Sequence, residues 1–181
     1  MRKLKTIEMT RLSIEAFKAA QKLPLVVVLD NVRSLYNVGS VFRSGDAFRI
    51  EALYLCGITA TPPHTEIHKT ALGGEDSVAW QYFSSAETAV ETLQRDGYFV
   101  YAVEQVEGSC KLQKLDLHAE TPAKGYAVVL GNEVKGVQQS VVDLCDGCLE
   151  IPQLGTKHSL NVSTTAGIVM WEFARQLLLR G

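Results

Sequence analysis

A chain of 181 residues with 46% hydrophobic composition is long enough for one globular domain with its own core and too short for two of ordinary size. Its formal net charge of -2 argues against a strongly basic nucleic-acid binder, and no apolar run approaches the roughly 18 residues of a membrane span. The opening MRKLKTIEMTRL lacks the apolar segment of a secretory signal, so a cytoplasmic protein is expected, with Cys56, Cys110, Cys145 and Cys148 kept as thiols rather than a disulfide framework.

Residues 1–22 carry six basic side chains against Glu8 and Glu15. They read either as a basic helical arm able to hold a phosphate backbone or as a solvated amphipathic helix, ahead of a single globular domain over 23–181. LVVVLD (25–30) is short, branched and apolar, as a buried parallel strand reads. NVGSVFRSGDAF (37–48) then opens a helix, ALYLCG (52–57) is a second strand, and TATPPHTEIHKTALGGEDS (59–77) is the longest stretch without a period, hence a candidate functional loop. In SSAETAVETLQRDG, Ser84 and Glu87 suggest a capping box, Ala86, Val90 and Leu93 a stripe, and Gly97 a stop. Strands follow at YFVYAVEQV (98–106), YAVVLG (126–131) and CLEIP (148–152), with a helix over 135–145 that places Val137, Val141 and Leu144 on one face. Val162, Ala166, Val169, Phe173 and Leu177 give the last segment a helical period sustained to the C-terminus. Alternating strands and helices predict an α/β fold, a mostly parallel sheet with helices on both faces.

In such sheets ligands sit beyond the carboxyl ends of the strands. After LVVVLD, Asn37 can cap the helix, Gly39 allows close backbone approach, and Arg43, one turn further, either points to the strand-end crevice or pairs with Asp46 on a solvated face. After YAVVLG, Gly131 and Gly136 have phosphate-loop spacing, but Val137-Gln138 stands where Lys-Ser/Thr is required. Glu133 would sit at the helix start, where a carboxylate is favoured. After CLEIP, Ser159, Asn161, Ser163 and Thr164 crowd the helix start, either as caps or as a pocket lining. Other patterns are weaker. Cys145 and Cys148 have no second pair for zinc, His64 and His68 have no carboxylate or cysteine cluster nearby to complete a metal site, and no Gly-x-Ser-x-Gly elbow accompanies His158-Ser159. No dinucleotide fingerprint follows a strand either.

Together these stretches resemble the motif set of the SpoU, or TrmH-like, branch of the SPOUT RNA 2′-O-ribose methyltransferases. Asn-x-Gly-x-x-x-Arg is met by Asn37, Gly39 and Arg43, and Gly-x-Glu-x-x-Gly by Gly131, Glu133 and Gly136. Ile-Pro with a following Ser-Leu-Asn-Val-Ser is met by Ile151, Pro152 and Ser159 through Ser163. The resemblance implies a deep trefoil knot in the C-terminal part and a homodimer with its site at the interface. It also implies methyl transfer from S-adenosylmethionine to a ribose 2′-hydroxyl of RNA, without a metal. Cofactor binding is carried to Leu130, Gly131, Asn132, Glu133, Gly136, Ile151, Pro152, Leu160 and Asn161. Catalysis is carried to Arg43, Asn37, Ser159 and Asn161, with Arg43 also binding substrate. Arg11 and Lys69 are expected to contact the RNA. Thr164-Thr165 departs from the small apolar pair usual after the Asn-Val-Ser triplet. The absence of a preceding RNA-binding domain favours tRNA over rRNA. A non-catalytic RNA-binding module on the same fold is the alternative.

Overall fold

The computed structural model describes residues 1–5, 8, 9, 11–119 and 122–179. Thr6, Ile7 and Thr10 of the basic arm, and Arg180 at the end of the C-terminal helical pattern, lie outside the described residues.

Seven parallel strands form one sheet in the order β3-β2-β1-β6-β4-β7-β5. They are β1 Leu23–Asp30, β2 Ile50–Cys56, β3 Ala79–Phe83, β4 Tyr98–Val103, β5 Cys110–Lys111, β6 Gly125–Leu130 and β7 Gly147–Glu150. Central β1 shows why the sequence reads as a continuous apolar run. Leu23, Leu25, Val27 and Leu29 enter one core layer while Val26 and Val28 enter the other, so both faces of the strand are dry.

The first layer is covered by α2 (Leu35–Phe48) and α7 (Val162–Leu177), helped by Phe17 of α1 (Ile14–Ala19) and by Ile67 and Ala71 of α3 (Thr65–Ala71). The second is covered by α5 (Ala86–Arg95) and by Val141 of α6 (Gln139–Leu144). Helices therefore lie on both faces, as expected. In the first layer Phe173 meets the edges of Tyr101 and Tyr126 at ring distances of 6.4 and 5.7 Å, pinning α7 across β4 and β6.

Several boundaries differ from the sequence reading. The run 98–106 is strand only to Val103, after which the chain turns away from the sheet. The helix expected over 135–145 begins at Gln139, although Val137 is buried. Ser85 caps α5 by accepting from Thr88 N, and Glu87 instead accepts from Ser140 Oγ at 2.7 Å, so no box forms with Ser84. The stretch 59–77 holds two short helices, α3 and α4 (Gly74–Ser77). Two strands escaped the pattern. β3 is an edge strand exposed at four of five positions, and β5 has only two residues, so neither carries a buried apolar run.

Candidate functional site

Beyond the carboxyl ends of β6, β4 and β7 lies a crevice of about 760 Å³, bordered by Leu130, Val103 and Leu149 at its floor. Its size falls within the usual range for small-molecule sites, about 300–1,000 Å³. Four loops form the walls: 104–106, 131–137, 150–153 and 158–161.

Backbone geometry shapes the second wall. Asn132 and Gly136 exchange backbone hydrogen bonds of 3.0 and 2.9 Å, and Gly136 takes φ +68°, which favours glycine. A Cβ on Gly131 would lie 2.0 Å from the Gly136 carbonyl carbon, so the turn closes only without one. Asn132 fixes the turn from within: its Oδ1 accepts from Val134 N and Lys135 N, and its Nδ2 donates to the Asn31 carbonyl at 2.8 Å.

Glu133 leaves this turn and reaches back to another element. Its carboxylate accepts from Arg33 N at 3.0 Å, Ser34 N at 2.9 Å and Asn37 Nδ2 at 3.1 Å. The helix it serves is thus α2, not the following α6, which starts six residues later. Burial by itself would raise this carboxyl, but the Arg33 and Ser34 amides and the Asn37 amide outweigh it and hold it below the usual range. An ionised group engaged by three donors serves as an anchor, not as a proton acceptor. Ser34, not Asn37, caps α2. Asn37 lies in its first turn and uses its side chain as a bridge. Asn37 Oδ1 accepts from Asn161 Nδ2 at 3.1 Å, and Asn161 Oδ1 in turn caps α7 by accepting from Ser163 N and Thr164 N. One chain of side-chain contacts, Glu133 to Asn37 to Asn161, therefore joins three stretches that are far apart in sequence.

The crevice collects Leu130, Gly131, Asn132, Glu133, Gly136, Ile151, Ser159, Leu160 and Asn161. The cluster divides: Ser159 and Asn161 line the crevice, while Asn161 also caps α7 through the backbone amides of Ser163 and Thr164. Pro152 lines a separate groove of about 220 Å³ with Leu112, Ile168 and Trp171. Asn37 touches the crevice only through its partners.

Arg43 does not point into the crevice. It sits exposed on the outer face of α2, and the alternative pairing also fails, because Asp46 accepts from Ser77 Oγ at 2.5 Å. Among the described residues no hydrogen bond or ion pair holds Arg43. Gly39 gives close approach to protein: a Cβ there would lie 2.1 Å from Thr70 Oγ1 and 2.3 Å from the Ile67 carbonyl, so α3 packs on α2. Lys69 is ion-paired with Glu66 at 2.6 Å, and Arg11 is exposed in the arm; neither lines the crevice. His64 caps α3, His68 meets Glu75 at 2.5 Å, and no cluster of three metal-ligating side chains occurs among the described residues.

Two crevice residues went unread. Glu104 Oε2 accepts from Val137 N at 3.0 Å, and Gln105 Nε2 donates to the His158 carbonyl at 2.9 Å, so the loop after β4 ties two walls together. Their signal is the switch from apolar to polar residues inside YFVYAVEQV.

A profile of the SpoU rRNA Methylase family matches residues 24–171. The 23S rRNA (guanosine-2′-O-)-methyltransferase RlmB of Xanthomonas campestris is 29% identical over 161 residues, 89% of this chain, but the chain spans only 62% of that relative. The tRNA (guanosine(18)-2′-O)-methyltransferase of Thermus thermophilus is 29% identical over 174 residues, covering 96% of this chain and 86% of that one. Among solved structures, the AdoMet-bound rRNA methyltransferase of Sinorhizobium meliloti superposes with a TM-score of 0.76 at 25% identity, over 87% of this chain and 61% of the other. With the profile spanning most of its length, two of the motif stretches lining one crevice and the third tied to them through Asn37, the chain belongs to the SpoU rRNA Methylase family.

Proposed function

We propose that this protein transfers a methyl group from S-adenosylmethionine to a ribose 2′-hydroxyl of RNA. The observation that carries the reading is the Glu133–Asn37–Asn161 chain, which ties the first family motif to the two that line the crevice. The lining suits the cofactor. Leu130, Ile151 and Leu160 offer apolar walls for an adenosyl group, and with Glu150 paired to Lys111, Glu104 and Glu133 outnumber Lys135, an acidic balance that favours a cationic ligand. When bound, the cofactor supplies the electrophilic methyl group.

The protein must bring the hydroxyl in line with that methyl group and ease the loss of its proton. A guanidinium stays protonated in proteins, so Arg43 is assigned as a bidentate clamp on the adjacent phosphate, orienting and polarising the ribose. Its lack of a side-chain partner among the described residues supports that role. Because Arg43 lies outside its own crevice, the reading includes a homodimer in which a second copy completes the site. The exposed apolar face of α7, with Ile168 and Trp171 at 37% and 51% exposure, is the surface assigned to that contact. The knot that the family resemblance implies, and action in the cytoplasm, belong to the same reading; no described helix is long and apolar enough to cross a membrane.

We favour tRNA as substrate because the similarity to the Thermus tRNA enzyme runs through 96% of this chain, against 89% for the RlmB relative. The test is incubation with labelled S-adenosylmethionine and separate tRNA and rRNA fractions, followed by mapping of the methylated nucleotide. Label in rRNA alone would replace the tRNA assignment. No transfer to either fraction, with no cofactor affinity by calorimetry, would sink the reading.

A further inference from the structure

At 100° per residue, positions 36, 40, 43 and 47 of α2 fall within one outward stripe. They are Tyr36, Ser40, Arg43 and Ala47, and two of them have the chemistry to hold a polynucleotide. Tyr36 is 50% exposed, yet its ring is fixed. The phenol hydroxyl donates to Glu66 Oε2, Glu66 is itself paired with Lys69 at 2.6 Å, and the Tyr36 carbonyl accepts from Thr70 Oγ1 at 3.0 Å. The close packing at Gly39 brings α3 near enough to provide these partners. An aromatic face anchored at its polar tip and open to solvent is the form in which proteins stack an unpaired base, and its ordering costs little on binding because the ring is already held.

Arg43 follows two turns later, about 10 Å along the axis, and helical side chains lean toward the N-terminus, so its guanidinium leans toward the ring. That separation matches one nucleotide spanned from phosphate to base. Lys69 cannot be the nearby phosphate ligand without giving up Glu66, which leaves Arg43 as the cation of the stripe.

We propose that Tyr36 is a substrate-stacking residue, holding an unpaired RNA base beside the phosphate that Arg43 binds. The inference rests on the RNA methyltransferase reading and adds to it a residue that none of the three motifs contains.

The test is filter binding of bulk bacterial tRNA and, separately, bulk rRNA to the full chain across a salt series. Tyr36→Ala is expected to weaken the preferred RNA about tenfold or more, with the slope of log K against log salt unchanged, because a stack releases no counterions. Tyr36→Phe stays within about twofold of the wild type, and Arg43→Ala lowers the slope by about one. Wild-type affinity in Tyr36→Ala, or an equal loss in Tyr36→Phe, would overturn the stacking role, the second outcome assigning the effect to the hydroxyl. RNA binding that follows this pattern without methyl transfer removes the catalytic reading and leaves the stack standing; binding of neither RNA removes both.

Discussion

Replacing Glu133 by alanine removes a carboxylate that accepts three hydrogen bonds, from Arg33 N, Ser34 N and Asn37 Nδ2. A net contribution of about 0.5–1.5 kcal/mol per bond is an upper guide, since the residue is exposed and water can replace it at the vacated amides; about 1–2 kcal/mol in total is the reasoned loss. At about 2–4 °C per kcal/mol for a chain of this size, calorimetry should record a fall in Tm of about 2–8 °C. The pH dependence follows from the direction of the shift. Burial opposes ionisation, but the amide donors prevail and hold the folded carboxyl below its ordinary value of 4.5. Protonation therefore favours the unfolded chain, so the contribution is complete above that value and is lost as the pH falls below it. The difference in Tm between wild type and Glu133→Ala should be full near neutrality and shrink in acid. A double-mutant cycle with Asn37→Ala should return a coupling of at least about 0.5 kcal/mol. A variant melting with the wild type at neutral pH, or a difference that grows in acid, would refute the anchoring role.

Gly39→Ala should cost about 1–3 kcal/mol in urea unfolding, because its Cβ would meet Thr70 Oγ1 and the Ile67 carbonyl; an unchanged midpoint would contradict the close α2–α3 packing. Arg43→Ala should abolish methyl transfer while leaving Tm and S-adenosylmethionine affinity near wild type, since Arg43 has no described protein partner; a collapse of cofactor affinity in calorimetry would make it structural instead. Burial pushes the Cys56 and Cys145 thiols up to about 12, so a disulfide reagent at pH ~8 should modify both slowly in the native protein and rapidly after denaturation. Fast native labelling of Cys56 would place it outside the core.

The sheet was readable in the chain wherever strands are buried on both faces, because burial imposes the apolar runs that mark them. Edge strand β3 and the two-residue β5 are not under that constraint and left no such mark. The site was legible as residue types: polar and glycine-rich stretches directly after strands, matching a family pattern. Their partners were not legible. Glu133 looked like an acid for the helix that follows it and instead fixes α2, which lies about a hundred residues earlier. Asn37 looked like a cap and is a bridge, and Glu104 and Gln105 were absorbed into a strand that stops just before them.

Local sequence determined which segments become strands and helices and which groups are available at their ends, since those choices depend on burial periodicity and short-range hydrogen bonding. Only the tertiary structure decided which carboxylate meets which amide, and that Arg43 faces solvent rather than its own crevice. Those outcomes depend on the order of strands in the sheet, β1 beside β6 beside β4, which no neighbouring residues in the chain encode.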